Sequence, residues 1–448
     1  MRKNFPDDVT GSRLSAFPAQ SHLAQSSLVD GVTLVILLLA PVVYLSVRHG
    51  IHACLFGLAL LAIFHWLKNS APYRDALADP WAVRLIFSFA GLLLATLVTQ
   101  ALNRSLHLPS FDGPSKIFLA AMVFLYLQTR AISFARVLEL ALPIGLLAVY
   151  LVILLNPDTS TQWDGPFAAG RFATRFVDPN SLGSQSLILT VLCIFSIGLF
   201  GRERRWLLLL KLIGIAVGIY IAINAQSRGS WLAIPPLLTL WLILCFSRTN
   251  ISRPVQVIVP AAIFVGVIAS MALGYEYSAI LSSRGNFAFE NFLDWQQGKN
   301  LDSPIGIRLS IWKIGLALVQ ESPWIGFGEN GFKSLLLNHP LNIPANRPAI
   351  DTLNFAGAHS DILAKLLAMG VVGLIAYLAT MLIPWIYFWT QRSHAHADTR
   401  AAAHLGLYFI TGVFVCGLTN EMLSLKYLCS FFGLMIAGLA ADVFRRVK

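Results

Sequence analysis

The chain of 448 residues is 56% hydrophobic and only 12% charged, and it has a mean hydropathy of +0.68 and a formal net charge of +11. Soluble domains carry about 25% charged residues, so this composition excludes a soluble globular protein. The basic residues form no contiguous stripe with interleaved aromatic residues, which argues against nucleic-acid binding.

Apolar runs recur along the whole chain, and each is roughly long enough to cross a ~30 Å hydrocarbon core. They predict an all-α polytopic membrane protein with about 12 transmembrane helices. One long polar stretch then forms a single large periplasmic loop that itself contains helices. The predicted spans are residues 31–47, 50–67, 82–102, 115–129, 133–155, 183–200, 206–223, 229–246, 255–273, 361–389, 404–419 and 425–443.

The orientation follows from lysine and arginine, which favour cytoplasmic segments. With the N-terminus inside, more than half of the 33 basic residues fall on inner segments, so both termini are predicted to be cytoplasmic. The predicted organisation is a disordered tail (1–28), nine spans (29–273), the periplasmic loop (274–360), and three spans with the C-terminus (361–448). No small-residue cleavage site follows the first span, so no signal peptide is expected.

Arg228 lies at the outer end of the eighth span, where Ser227 is predicted to cap the helix. A cation there opposes the helix dipole, unless an anion lies between the backbone N–H groups and the guanidinium. The alternative is an arginine that extends to the membrane interface.

Arg308 repeats this arrangement in the long outer loop. Ser303 can cap a helix there and Pro304 suits its first position, which puts Arg308 near the positive end. The apolar stripe of this helix fits a helix on the membrane surface or one packed on the bundle. Two such arginines suit a diphosphate, because each can form bidentate bonds; a solvated surface charge is the alternative.

His359 precedes the tenth span in Gly357-Ala358-His359-Ser360-Asp361-Ile362. The helix dipole disfavours imidazolium at this position, and neutral imidazole is the form that a general base needs. Asp361 could orient the ring if His359 belongs to the loop. A plain loop or capping histidine is the alternative.

Further polar residues are weaker candidates. Asn180 and Arg175 belong to the outer loop 156–182 and could contact the same head group or only solvate the loop. Glu139 and Lys211 lie at similar depth in two spans, and a structural ion pair is the expected arrangement.

Several classes of site are missing from the sequence. The five cysteines fall inside spans without a CxxC pair, and there is no DxD pair, Walker A loop or hydrolase elbow. We therefore expect no bound metal and no cofactor.

With these residues the sequence resembles the O-antigen ligase and polymerase superfamily of bacterial envelope glycosyltransferases. The resemblance covers roughly 180–380. It rests on Ser227-Arg228-Gly229-Ser230-Trp231-Leu232, on Arg308 with Trp312 and the segment 321–328, and on His359 to Leu363 with Gly370 and Gly373.

The resemblance implies a GT-C-like bundle in the bacterial inner membrane, facing membrane lipids. It implies an undecaprenyl-diphosphate-linked glycan as donor, and for the lipopolysaccharide O-antigen ligase a lipid A–core acceptor. Arg228 and Arg308 would bind the diphosphate and His359 the acceptor hydroxyl, in an inverting, metal-independent displacement.

Three alternatives remain. An O-antigen polymerase shares the chemistry, but the single large outer loop favours a ligase. Protein O-oligosaccharyltransferases usually carry an added C-terminal region. A polyprenyl-glycan transporter predicts interrupted helices and charges near the midplane, whereas the candidate residues here cluster at the outer boundary.

Overall fold

The computed structural model describes residues 20–156, 163, 170–246, 289–328 and 331–447, and within these ranges the regular structure is helical, with no strand. The helices are α1 (Gln20–Val43), α2 (Gly50–Lys68), α3 (Ala71–Leu77), α4 (Pro80–Leu102), α5 (Asp112–Leu127), α6 (Phe134–Leu155), α7 (Pro179–Phe195), α8 (Arg205–Asn224), α9 (Ile234–Phe246), α10 (Pro304–Glu321), α11 (Gly331–Leu337), α12 (Arg347–Ala356), α13 (Asp361–Gln391), α14 (Ala397–Gly417) and α15 (Lys426–Val447).

The prediction of an all-α polytopic membrane protein is confirmed. In the described part of the chain, eight helices are long and apolar enough to span a membrane, and three shorter apolar helices accompany them. Together they coincide with eleven of the twelve predicted spans. The remaining one, 255–273, lies outside the described residues, and α1 already begins at Gln20, inside the predicted tail.

The centre of the bundle is α15, which is buried on nearly all sides, whereas α8 exposes most of its surface. Close packing around α15 depends on small residues, because a Cβ added at Gly433 would lie 2.8 Å from the Cβ of Ala120 on α5. Small residues let helix backbones approach closely where lipid offers no hydrophobic driving force for association.

One end of the bundle holds a network of paired charges. Lys211 is fully buried, and its ammonium contacts Glu139 at 2.8 Å and Glu203 at 2.6 Å. The predicted pair between Glu139 and Lys211 is therefore confirmed. At the same end, the Asp398 carboxylate forms ion pairs with two guanidinium groups, that of Arg136 at 2.8 Å and that of Arg446 at 2.9 Å.

At the opposite end, the helices of the long loop form a second hydrophobic cluster. Ile307, Ile311 and Ile314 of α10 pack there with Leu353 of α12 and Leu363 of α13. The apolar stripe of α10 is thus packed on the bundle, which decides between the two placements that the sequence left open.

The helix α13 is interrupted at Gly370, whose φ is 61°. The segment 323–328 fills the break. The N–H groups of Phe327 and Gly328 donate to the carbonyls of Leu367 and Ala368, both at 2.9 Å, and the N–H of Val371 donates to Pro323 at 2.8 Å. Such pairing allows a helix to break at membrane depth, because the freed backbone groups are satisfied within the protein.

Candidate functional site

Arg308 lies in the second turn of α10, and the start of this helix is built as predicted. The Ser303 hydroxyl accepts the N–H of Gly306 at 3.0 Å, and Pro304 occupies the first helical position. The guanidinium forms no hydrogen bond or ion pair with any described residue. Burial lowers the pKa of Arg308, so this half-buried cation is partly withdrawn from water, and no anion among the described residues compensates it.

The backbone next to Arg228 lies beside that guanidinium. A Cβ added at Gly229 would lie 3.9 Å from Nη1 of Arg308 and 2.5 Å from Oγ1 of Thr419. Residues Arg228–Ala233 form a 3₁₀ helix that leads into α9. Three segments that are far apart in sequence therefore meet at Gly229.

The predicted cap by Ser227 is wrong. Its side chain makes no capping hydrogen bond, and its carbonyl instead accepts the N–H of Ser230 at 3.2 Å and the Ser230 hydroxyl at 2.5 Å. The physical reason is the tighter 3₁₀ turn, in which hydrogen bonds span three residues rather than four. Ser227 is also confined by α7, because a Cβ added at Gly183 would lie 2.6 Å from the Ser227 Cβ.

His359 belongs to a strained loop before α13. Its φ is 51° and that of Gly357 is 85°, so both adopt the left-handed region. A non-glycine residue in this region persists only where the surrounding structure holds it. Here the Glu421 carboxylate accepts the N–H of Ala358, the residue before His359.

The electrostatic surroundings keep the His359 imidazole neutral. Burial, together with a smaller effect of the Arg308 charge, lowers its pKa from 6.5 to about 4, and the carboxylate of Asp178 opposes both. Arg308 and Asp178 thus lie within electrostatic range of the ring. The imidazole forms no hydrogen bond with a described side chain or backbone group, so none of the described residues occupies either ring nitrogen.

Asp361 does not orient His359, and that prediction is wrong. Its carboxylate accepts the N–H of Leu423 at 2.9 Å and the Tyr377 hydroxyl at 3.4 Å, and it is fully buried. As the first residue of α13 it faces the bundle interior, whereas His359 is two residues away in the loop. Asp361 therefore fastens the start of α13 to the loop between α14 and α15.

Asn180 and Arg175, the two weaker candidates from the loop 156–182, differ in their contacts. Asn180 accepts a hydrogen bond of 2.7 Å from Arg171, whose Nε donates to the carbonyl of Ala225 at 2.8 Å. Asn180 thus helps to hold the chain that leads to the Gly229 turn. Arg175 is exposed and makes no hydrogen bond or ion pair with the described residues.

Sequence reasoning missed Asp178 and Glu421 as members of this site. Asp178 caps α7 by accepting the N–H groups of Asn180 at 2.9 Å and Ser181 at 3.0 Å, and it faces the His359 side of the bundle. The available signals were an Asp-Pro pair at the predicted outer end of a span and a carboxylate in a short loop predicted on the same side.

Comparisons with known proteins show a family likeness over the part of the chain that holds these residues. Residues 213–378 match the family model described as O-antigen ligase, and this range includes Arg228, Arg308 and His359. The chain is also similar to an uncharacterized protein of Haemophilus influenzae, with 23% identity over 330 residues, which covers 73% of this chain and 78% of that protein.

Proposed function

We propose that this chain, which carries an O-antigen ligase family domain over residues 213–378, is an O-antigen ligase. It transfers a glycan from undecaprenyl diphosphate to a sugar hydroxyl of lipid A–core at the periplasmic face of the inner membrane. One observation carries the proposal. The half-buried Arg308 guanidinium, which has no partner among the described residues, lies beside the Gly229 turn and within electrostatic range of a neutral His359.

The arginines act on the donor. A diphosphate beside Arg308 supplies the anion that the described residues do not, and two bidentate guanidinium groups, those of Arg308 and Arg228, match its oxygens. The same contacts stabilise negative charge that develops on the leaving diphosphate, which is the role that a metal ion plays in other glycosyl transfers. Transfer should therefore survive EDTA, and strict dependence on magnesium would contradict this part of the proposal.

His359 acts on the acceptor. Its neutral imidazole accepts the proton of the acceptor hydroxyl as the oxygen attacks the anomeric carbon. The bond between that carbon and the diphosphate oxygen breaks with the electron pair on the diphosphate, and undecaprenyl diphosphate leaves. A single displacement inverts the anomeric configuration and forms no glycosyl-enzyme intermediate.

A polyprenyl-glycan transporter is the second candidate, because α13 is interrupted and broken helices are frequent in transporters. In such proteins the freed backbone groups bind the cargo or its coupling ion. Here the carbonyls of Leu367 and Ala368 are instead taken up by the segment 323–328. The break in α13 thus anchors the long loop before this helix and offers these two carbonyls to no cargo. For this reason we favour the transferase over the transporter.

The decisive experiment supplies purified protein with a lipid-linked glycan and two acceptors, lipid A–core and a second lipid-linked glycan. Extension of lipid A–core is expected. Extension of the lipid-linked glycan alone would make the protein an O-antigen polymerase. Consumption of neither acceptor, together with movement of the donor across a liposome membrane, would make it a transporter.

A further inference from the structure

A cavity lies against the His359 loop, and Arg308 is not among its lining residues. It has a volume of about 260 Å³, and Gly357 and Ala358 form part of its wall. The rest of the wall comes from the ends of α4 and α5, the start of α11, the first turns of α13, and the loop before α15. Neither Arg308 nor His359 lines the cavity, so it is separate from the diphosphate pocket proposed above.

Three lysines line this cavity, which we call the lysine cavity. Lys333 forms no hydrogen bond or ion pair with the residues that the structure describes. Among the described residues, Lys365 donates one long hydrogen bond, of 3.4 Å, to the carbonyl of Leu423. Lys426 shares the carboxylate of Asp112, at 3.0 Å, with another lysine.

The wall holds a single carboxylate against these three cations. Glu421 lines the cavity, and it accepts the N–H of Ala358 and so holds the His359 loop in place. A concave surface with three lysines and one engaged carboxylate favours an anion, because each ammonium offers donors and a positive charge in a partly desolvated site.

The remaining wall favours a carbohydrate. Phe355 is 95% exposed at the cavity, which is unusual for a phenylalanine and gives a flat apolar surface for the face of a sugar ring. Ser424 adds an exposed hydroxyl group that can pair with a sugar hydroxyl. The lining thus combines an aromatic surface, a hydroxyl group and cations.

We propose that the lysine cavity binds an anionic saccharide of the acceptor, with Lys333 and Lys365 on its phosphate or carboxylate group and Phe355 against a sugar ring. This inference rests on the proposed transferase function. The donor diphosphate lies beside Arg308, the acceptor saccharide lies in the lysine cavity, and the loop 357–360 between them presents His359 to the attacking hydroxyl. A group transfer with two substrates requires two such sites that meet at the base.

The first test measures binding without any transfer. The full-length protein in detergent is titrated with glucose 6-phosphate or glucose, and its thermal unfolding midpoint is recorded. We expect glucose 6-phosphate to raise the midpoint and glucose to leave it unchanged. The shift should disappear in Lys333→Gln and Lys365→Gln and persist in Lys313→Gln, which removes an exposed lysine of the same periplasmic unit outside the cavity.

The second test measures transfer with an acceptor that carries its phosphate groups and with the same acceptor after phosphatase treatment. A lost charge-assisted bond corresponds to a rise in the acceptor KM of about 10-fold in Lys333→Gln. The donor KM and kcat should stay unchanged, and the variant should not differ from wild type with the dephosphorylated acceptor. Galacturonic acid replaces the phosphate probe in a parallel titration and distinguishes a carboxylate from a phosphate ligand.

The outcomes separate the two proposals. A glucose 6-phosphate or galacturonate shift that depends on Lys333 and Lys365, without transfer by the wild type, supports the cavity and overturns the proposed function. Transfer with an acceptor KM that Lys333→Gln leaves unchanged overturns the cavity and leaves the function intact. An equal midpoint shift in all variants, including Lys313→Gln, also overturns the cavity.

Discussion

The two ends of the helix bundle handle buried charge in opposite ways. At one end Lys211 contacts two carboxylates, and Asp398 bridges two arginines. At the other end the Arg308 guanidinium lies beside Gly229 without an anion from the described residues, within electrostatic range of a neutral His359. Paired buried charges keep a structure together, whereas a desolvated charge without a partner is costly and is typical of functional sites.

Replacing His359 by Ala should cause the largest loss of activity. Removing a general base typically lowers the rate by about 10²–10⁴-fold, while the fold should persist because the imidazole holds no described neighbour. The measurement is transfer to lipid A–core by purified protein, with His396→Ala at the other end of the bundle as the control. Near-normal transfer in His359→Ala at equal expression would remove this residue from the mechanism.

Replacing Lys211 by Met should affect stability and leave the chemistry alone. The change leaves Glu139 and Glu203 buried without their cation, and breaking a buried pair costs about 3–5 kcal/mol. Thermal unfolding in detergent measures the loss, and transfer per folded molecule should equal that of wild type. A triple variant that also carries Glu139→Gln and Glu203→Gln should recover part of the stability. A stable Lys211→Met protein that has lost transfer would place function at this end too.

Replacing Arg308 by Ala should weaken donor binding. A charge-assisted hydrogen bond contributes about 1.5–3 kcal/mol, which corresponds to roughly 10–150-fold in the donor KM. Arg308→Lys should not restore binding, because an ammonium lacks the planar pair of donors. Kinetics with varied donor concentration provide the measurement, and the exposed Arg175→Ala serves as the control. Full rescue by lysine would show that the site needs only a positive charge.

The pH profile should show the smallest of these effects. Because burial lowers the His359 pKa to about 4, kcat/KM should stay level from pH 8 to about 5 and fall only near pH 4. A bound diphosphate offsets the charge of Arg308 and raises the His359 pKa, so the acid limb of kcat should lie at higher pH than that of kcat/KM. An acid limb of kcat/KM near 6.5, the ordinary histidine value, would contradict the buried imidazole.

The same group links pH to stability. His359 takes up a proton near pH 6.5 in the unfolded chain and only near pH 4 in the folded chain. The folded state is therefore not penalised by this group above pH 6.5, where the histidine is neutral in both states. The contribution of His359 to stability falls as the pH decreases from about 6.5 towards 4. Thermal unfolding of wild type and His359→Ala across this range measures it.

Much of the fold could be predicted from local sequence, because the length of an apolar run and the chemistry of a helix start act over few residues. Eleven spans coincide with apolar helices, and the Ser303 cap and the Glu139–Lys211 pair are confirmed. The same local rules were wrong for Ser227, where a 3₁₀ turn replaces the expected cap.

By itself, the sequence determined that this is a membrane protein and where its apolar helices lie. It also indicated that two arginines and a histidine belong to segments on the same predicted side of the membrane. Only the tertiary structure decided which atoms meet. It brought Arg308 to Gly229, directed Asp361 to Leu423 rather than to His359, and set Glu421 against the His359 loop. The physical reason is that hydropathy acts locally, whereas these contacts join residues some 60 to 80 positions apart in sequence, and their geometry follows from how whole helices pack.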